Sequence, residues 1–126
     1  MFKVLVIENE PAILANLTRM LRLEGFEATG AADGAAGVAA ARNGRPDVVL
    51  CDLLMPAMNG DAVLAALRSD VATAATPFIF LTASADKDAR EARLRSGAND
   101  YLVKPVDFKE LVAAIRRHLP GDPSQG

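Results

Sequence analysis

The sequence has one cysteine, one histidine and no apolar run long enough to cross a bilayer as a helix. The single thiol, Cys51, cannot close an internal disulfide, and no secretory signal is recognisable at the N-terminus, so the expectation is a soluble cytoplasmic protein with no membrane partner. A basic excess is also missing. Lys and Arg number 14 against 16 Asp and Glu, for a net charge of -2, and the sequence pI is about 5.3. That balance speaks against direct nucleic-acid binding by this domain, so any effect on DNA is expected to come from a partner or an attached module. A glycine-rich phosphate loop of the Walker or dinucleotide type is absent too, which removes the main support for a nucleotide-binding enzyme.

What is present is 126 residues, 51% of them hydrophobic, the length and apolar content of one domain with one core. Val4 to Ile7 is a short β-rich run, the pattern of a buried parallel strand. It stops at Glu8, Asn9 and Glu10. Pro11 then suits a first helical turn, and Ile13, Leu14, Leu17, Met20 and Leu21 recur at helical spacing up to a stop at Gly25. The unit repeats with Phe26 to Ala31 as a weaker strand and Ala35 to Arg42 as an alanine-rich helix with Gly44 near its end. Asp47 to Cys51 is the next strand, followed by the turn-rich loop Met55 to Gly60 and a helix carrying Val63, Leu64 and Leu67. Phe78 to Leu81 ends at Thr82 and precedes a charged helix, Asp86 to Ser96, closed by Gly97. Tyr101 to Val103 ends at Lys104, and the last helix shows Phe108, Leu111, Val112, Ile115 and Leu119 on one face. Residues 1–119 make up the predicted domain, and 120–126 read as a disordered tail or linker stub. Strands alternating with helices predict an α/β fold, a doubly wound five-stranded parallel sheet with right-handed crossovers. Alternation alone leaves the strand order open.

In such sheets the ligand site lies off the carboxyl ends of the strands, where the strand order reverses. The candidates are therefore the polar residues that follow each apolar run: Glu8 and Asn9, then Asp52, Thr82 and Lys104. Two carboxylates and an amide oxygen form a hard-oxygen pocket suited to Mg²⁺. Asp52 can act as a nucleophile toward phosphorus once the charge on the phosphoryl oxygens is neutralised. Lys104 supplies a cation for those oxygens and Thr82 a hydroxyl donor. Taken singly, each has a bland explanation: Asp52 as a turn cap, Lys104 as a surface charge, Thr82 as a β-branched strand residue. Their joint placement after successive strands favours a site. Glu10 reads as a complement to the positive end of the first helix, Cys51 as a small core residue, and His118, between Arg117 and the chain end, as a solvated helix terminus.

Four stretches carry a resemblance: VLVIENEPAIL, PDVVLCDLLMPAMNG, FIFLTASAD and GANDYLVKPVDFKEL, in this order over most of residues 3 to 119. Together they resemble the receiver domain of bacterial response regulators. The resemblance implies a flavodoxin-like sheet of order 2-1-3-4-5 and a phosphoacceptor at Asp52. It implies Mg²⁺ arranged by Glu8, Asn9, Asp52 and the backbone carbonyl of Leu54, with Lys104, Thr82 and the Ala83 N–H on the phosphoryl oxygens. It further implies a cis Lys104–Pro105 bond and a switch in which Thr82 and Tyr101 alter the surface of the fourth helix, fifth strand and fifth helix. The implied partners are a histidine kinase or phosphotransfer protein and a downstream effector or attached output domain. The expected state is a monomer or a weak phosphorylation-dependent dimer, either a stand-alone regulator or a receiver from a longer protein. Such a domain is not a turnover enzyme and catalyses only its own phosphotransfer and slow self-dephosphorylation.

Two residues depart from neighbouring patterns. Asn9 stands where the family usually has an aspartate, and losing that charge is expected to weaken Mg²⁺ binding. Leu54, two positions after Asp52, is not the second aspartate of haloacid-type phosphatases, and an apolar residue there is expected to hold attacking water poorly. The alternative function is a phosphorylation-independent, receiver-like binding module, for which Asn9 is the only support. In the fourth helix, Ala85, Ala89 and Ala92 give a thin apolar stripe while Arg90, Glu91, Arg93 and Arg95 read as solvated, so loose anchoring is expected. Leu94, about 180° around from Ala85, is expected to face outward, as a partner contact or a singly exposed leucine.

Overall fold

A computed structural model describes residues 1–120. The apolar runs become β1 (Lys3–Ile7), β2 (Glu27–Ala31), β3 (Val48–Cys51), β4 (Phe78–Thr82) and β5 (Asp100–Val103). Between and after them lie α1 (Pro11–Leu23), α2 (Gly34–Gly44), α3 (Gly60–Arg68), α4 (Lys87–Arg95) and α5 (Phe108–Arg117). Every strand pair is parallel and the order is β2-β1-β3-β4-β5, the expected one. The central strands β3 and β4 are buried along their whole length, as residues covered on both faces must be.

Strand alternation divides the core into two layers. Leu5, Ile7, Val49, Cys51, Phe78 and Phe80 meet Val38 and Ala41 of α2 and Val63, Leu64 and Leu67 of α3. Val4, Val6, Val48, Leu50 and Ile79 point the other way, onto Leu21 of α1 and Leu111, Val112 and Ile115 of α5. Helices therefore cover both faces, and α1 and α5 share one of them. No helix among the described residues is long and apolar enough to cross a membrane.

Local chemistry sets the element ends. Asp33, Asn59, Asp86 and Asp107 precede α2 to α5 in extended conformations, and their side chains accept from Ala36, Ala62, Asp88 and Lys109 N–H groups. α1 lacks a side-chain cap and starts on Pro11, whose missing N–H is one the first turn would leave unpaired. Gly25, at φ 103°, adopts the left-handed geometry that turns the chain from α1 into β2.

Three expectations about the helices are corrected. Leu94 does not face solvent: it is half-buried and packs against the core layer under α4. A wheel drawn from Ala85 misplaces it because Ala85 lies before the helix and is itself exposed. Arg93 is not freely solvated either, since its guanidinium reaches Asp61 of α3. His118 is likewise engaged: its Nε2 lies 3.2 Å from Asp100 Oδ2, which also accepts from Arg117 Nη2 at 2.8 Å. The tail assigned to 120–126 lies outside the described residues apart from Pro120, which is exposed.

Candidate functional site

Because the order reverses between β1 and β3, the crevice expected for a ligand opens where those two strands end. Ile7 and Cys51 are register partners, so the next residues, Glu8 and Asp52, leave the sheet side by side. Each is tied to its neighbour strand by its own N–H: Glu8 donates to Ala31 O at 3.1 Å and Asp52 to Ile7 O at 3.0 Å. The ladder thus fixes the backbone beneath both carboxylates.

Lys104 arrives from the far edge of the sheet, one residue past β5. Its backbone N–H donates to Thr82 O at 2.7 Å, and the Lys104–Pro105 peptide bond is cis. The ammonium then spans the strand ends, with Nζ 3.2 Å from Glu8 Oε2 and 3.6 Å from Asp52 Oδ2. Side-chain exposure rises from 3% at Glu8 through 11% at Asp52 to 24% at Lys104, so Asp52 sits at the mouth of the pocket and Glu8 at its floor. Burial, and after it the charge of Asp52, pushes the Glu8 carboxyl above the usual carboxylate range, against the pull of Lys104 and the Glu10 N–H. Two carboxylates face one ammonium, which leaves the pocket with an excess of negative charge.

The loop after β3 holds Asp52 in place. Leu54 N–H lies 3.3 Å from Asp52 Oδ1, and Gly60 N–H donates to Leu53 O at 2.9 Å. Gly60 packs so closely that a Cβ there would lie 2.6 Å from Asp52 O and 2.8 Å from the Phe80 ring, so any side chain would displace the loop. Leu54 itself is 68% exposed at the pocket rim.

The remaining candidates occupy the same edge. Thr82, the last residue of β4, is fully buried, and its hydroxyl lies 3.4 Å from Ser84 N. Tyr101 is buried, and its hydroxyl donates to Ser84 O at 2.9 Å. Ser84, which sequence reasoning missed, therefore joins Thr82 and Tyr101 through one stretch of backbone. Its only sequence signal is its place two residues beyond a strand end. Ala83 is exposed beside Thr82, and Asn9 is half-buried next to Glu8. Cys51 is buried in the core layer, where burial and then the charges of Asp52, Glu8 and Asp61 push its thiol far above the usual range.

The donor set is all oxygen, which fits a hard divalent cation, and the excess negative charge favours one. Among the described residues no three His, Cys, Asp or Glu side chains come together to hold a metal ion; the pocket joins two carboxylates, Glu8 and Asp52, and the residue that follows Glu8 in the chain is an amide, Asn9.

A sequence model of the response regulator receiver domain matches residues 4–116. The chain belongs to this family. Among curated relatives, the DNA-binding response regulator MtrA of Mycolicibacterium smegmatis is 42% identical over 117 residues, which are 93% of this chain and 50% of that protein. The transcriptional regulatory protein PrrA of Mycobacterium tuberculosis is 42% identical over 120 residues, 93% of this chain and 49% of that one. The chain thus spans about half the length of these relatives. Among solved structures, the Vibrio cholerae chemotaxis protein CheY4 superposes with a TM-score of 0.89 at 31% identity, covering 94% of this chain and 99% of that one. The receiver domain of a Pseudomonas aeruginosa sensor histidine kinase, determined with a magnesium ion coordinated in its active site cleft, gives 0.84 at 34% identity over 92% and 95%. Receiver membership makes this a signalling domain of two-component systems rather than a metabolic enzyme.

Proposed function

We propose that this receiver accepts a phosphoryl group on Asp52 from a phosphohistidine of a histidine kinase or phosphotransfer protein, in a Mg²⁺-dependent reaction in the cytoplasm. The observation that carries the reading is the position of the Asp52 carboxylate at the end of a central strand, 3.6 Å from Lys104 Nζ and beside Glu8. An Asp52 oxygen attacks phosphorus, the P–N bond to the donor imidazole breaks, and the bond electrons return to that imidazole. In this reading Lys104 shifts its ammonium from Glu8 toward the phosphoryl oxygens, and the Thr82 hydroxyl and Ala83 N–H, at the end of the adjacent strand β4, donate to them as well. Glu8, Asn9, Asp52 and the Leu54 carbonyl are the groups proposed to hold Mg²⁺, which when bound offsets charge on the phosphoryl oxygens.

Thr82 and Tyr101 share the Ser84 backbone. A threonine drawn toward a phosphoryl group would disturb the hydroxyl contact of Tyr101, and with it the face made by α4, β5 and α5. That face is the proposed contact for an effector or an attached output domain. The exposed Leu54 offers no polar group to an attacking water, which supports slow self-dephosphorylation. The test is incubation with acetyl phosphate and Mg²⁺ followed by intact mass measurement. A gain of one phosphoryl group in the wild type and none in Asp52→Asn is expected. No gain in the wild type would support instead a binding module that does not use phosphorylation, the reading that Asn9 favours.

A further inference from the structure

α4 has no buried residue, although it flanks the proposed signalling face. Ala89, Ala92 and Leu94 are each only half-buried, so apolar area alone anchors it weakly. Its firmest attachments are instead two guanidinium groups shared with α3. At the C-terminal end, Arg68 of α3 donates through Nε and Nη2 to Gly97 O at 3.2 and 2.9 Å. At mid-helix, Arg93 of α4 forms a two-pronged pair with Asp61, Nε to Oδ1 at 3.2 Å and Nη2 to Oδ2 at 2.8 Å. Arg93 also donates from Nη1 to Ala89 O at 3.2 Å, which steers its head along the helix.

The two tethers differ in how easily they can be changed. The Arg68 contacts go to backbone oxygen and to Asn99, and move only with the loop. The Arg93–Asp61 pair is an interaction of full charges at the rim of an open cleft of about 290 Å³ lined also by Leu64, Ala65, Ala92 and Ser96. Side-chain exposures of 22% for Arg93 and 44% for Asp61 leave it within reach of solvent ions. Asp61 lies in the first turn of α3, one residue beyond the glycine packed on the Asp52 carbonyl. The pair therefore links α4 to the helix whose start is pressed against the proposed phosphoacceptor.

We propose that Asp61 and Arg93 form a charge latch that holds α4 against α3 and is the adjustable one of its two tethers, so that the freedom of α4, and with it the presentation of the signalling face, responds to this pair and to ionic strength. The latch stands on geometry alone; its regulatory consequence rests on the phosphoacceptor reading above.

The test is backbone hydrogen exchange on the unphosphorylated full chain at 50 and 500 mM NaCl. It compares the wild type with Asp61→Asn, Arg93→Gln and the double variant, with α1 amides as the internal control. In either single variant, exchange across Arg90 to Gly97 is expected to quicken about two- to five-fold, the range for a partly exposed ion pair, while α1 is unchanged. The double variant should exchange no faster than Arg93→Gln, since a shared interaction can be lost only once. Added salt should quicken α4 in the wild type and leave Arg93→Gln unmoved. Unchanged α4 exchange in the single variants, additive effects in the double variant, or equal salt response in wild type and Arg93→Gln would each overturn the latch. Acetyl phosphate labelling of the same samples separates the two claims. A wild type that takes up no phosphoryl group removes the phosphoacceptor reading and leaves the exchange result intact. With uptake established, adding acetyl phosphate and Mg²⁺ should quicken α4 exchange in the wild type more than in Arg93→Gln, and an equal response would overturn the regulatory role.

Discussion

Asn9 follows Glu8 directly beyond β1, next in the chain to a pocket whose carboxylates are Glu8 and Asp52, and an aspartate in its place would add one full charge near the proposed Mg²⁺. A unit charge about 4 Å from a divalent ion is worth about 2 kcal/mol in bulk water and more in a partly solvated pocket, and the cost of stripping water from the added carboxylate offsets part of it, leaving a net gain of about 1–2 kcal/mol. Asn9→Asp is therefore expected to lower the Mg²⁺ concentration at half-saturation by about tenfold. A Mg²⁺ titration of both proteins checks this, and equal midpoints would refute it. That Asn9, Glu8, Asp52, Thr82 and Lys104 share one edge was legible in the sequence, because each follows an apolar run and parallel strands deliver their ends to one side. The pairing of Lys104 with Glu8, at a shorter distance than with Asp52, was not legible. It depends on the depth of two side chains that are 96 residues apart in the chain.

Among the elements, β5 and α5 are joined by Asp100, whose Oδ2 accepts from Arg117 and lies against His118. Burial pushes the Asp100 carboxyl up, but the hydrogen bonds from Arg117, the Tyr101 N–H and His118, with the charge of Arg117, together hold it below the usual range. A lowered folded-state pKa contributes stability above the unfolded value, and that contribution is lost as pH falls through the folded value. Asp100→Asn is thus expected to cost ~1 kcal/mol at pH 7. Its deficit relative to the wild type should shrink below about pH 4, as followed by urea unfolding at several pH values. A deficit that persists undiminished in acid would contradict the assignment. The strands were readable to within a residue or so, since continuous apolar runs of strand length have few other uses inside a small α/β domain. α4 was read correctly as thinly apolar but wrongly in its exposure. Periodicity reports which face of a helix is greasy, whereas Leu94 and Arg93 are placed by α3, β5 and an aspartate 32 residues away.

Across the whole molecule, the site exacts a cost from the fold. Glu8 and Asp52 repel one another at the end of the central strands, and a single ammonium serves both. Replacing Asp52 by Asn removes that repulsion and leaves Lys104 with Glu8. The variant is expected to gain about 1 kcal/mol in Mg²⁺-free denaturant unfolding at pH 7, as is common when a functional charge cluster is neutralised. A loss of similar size would mean that Asp52 does more to hold Lys104 than to oppose Glu8. The buried Cys51 has a consequence of another kind. Since the chain's lone sulfhydryl is sealed inside the sheet and held in its unreactive form, the exterior is blank to thiol reagents. A cysteine introduced on α4 would be a unique attachment point, so one fluorophore or spin label there could report that helix's excursions without first removing a native residue.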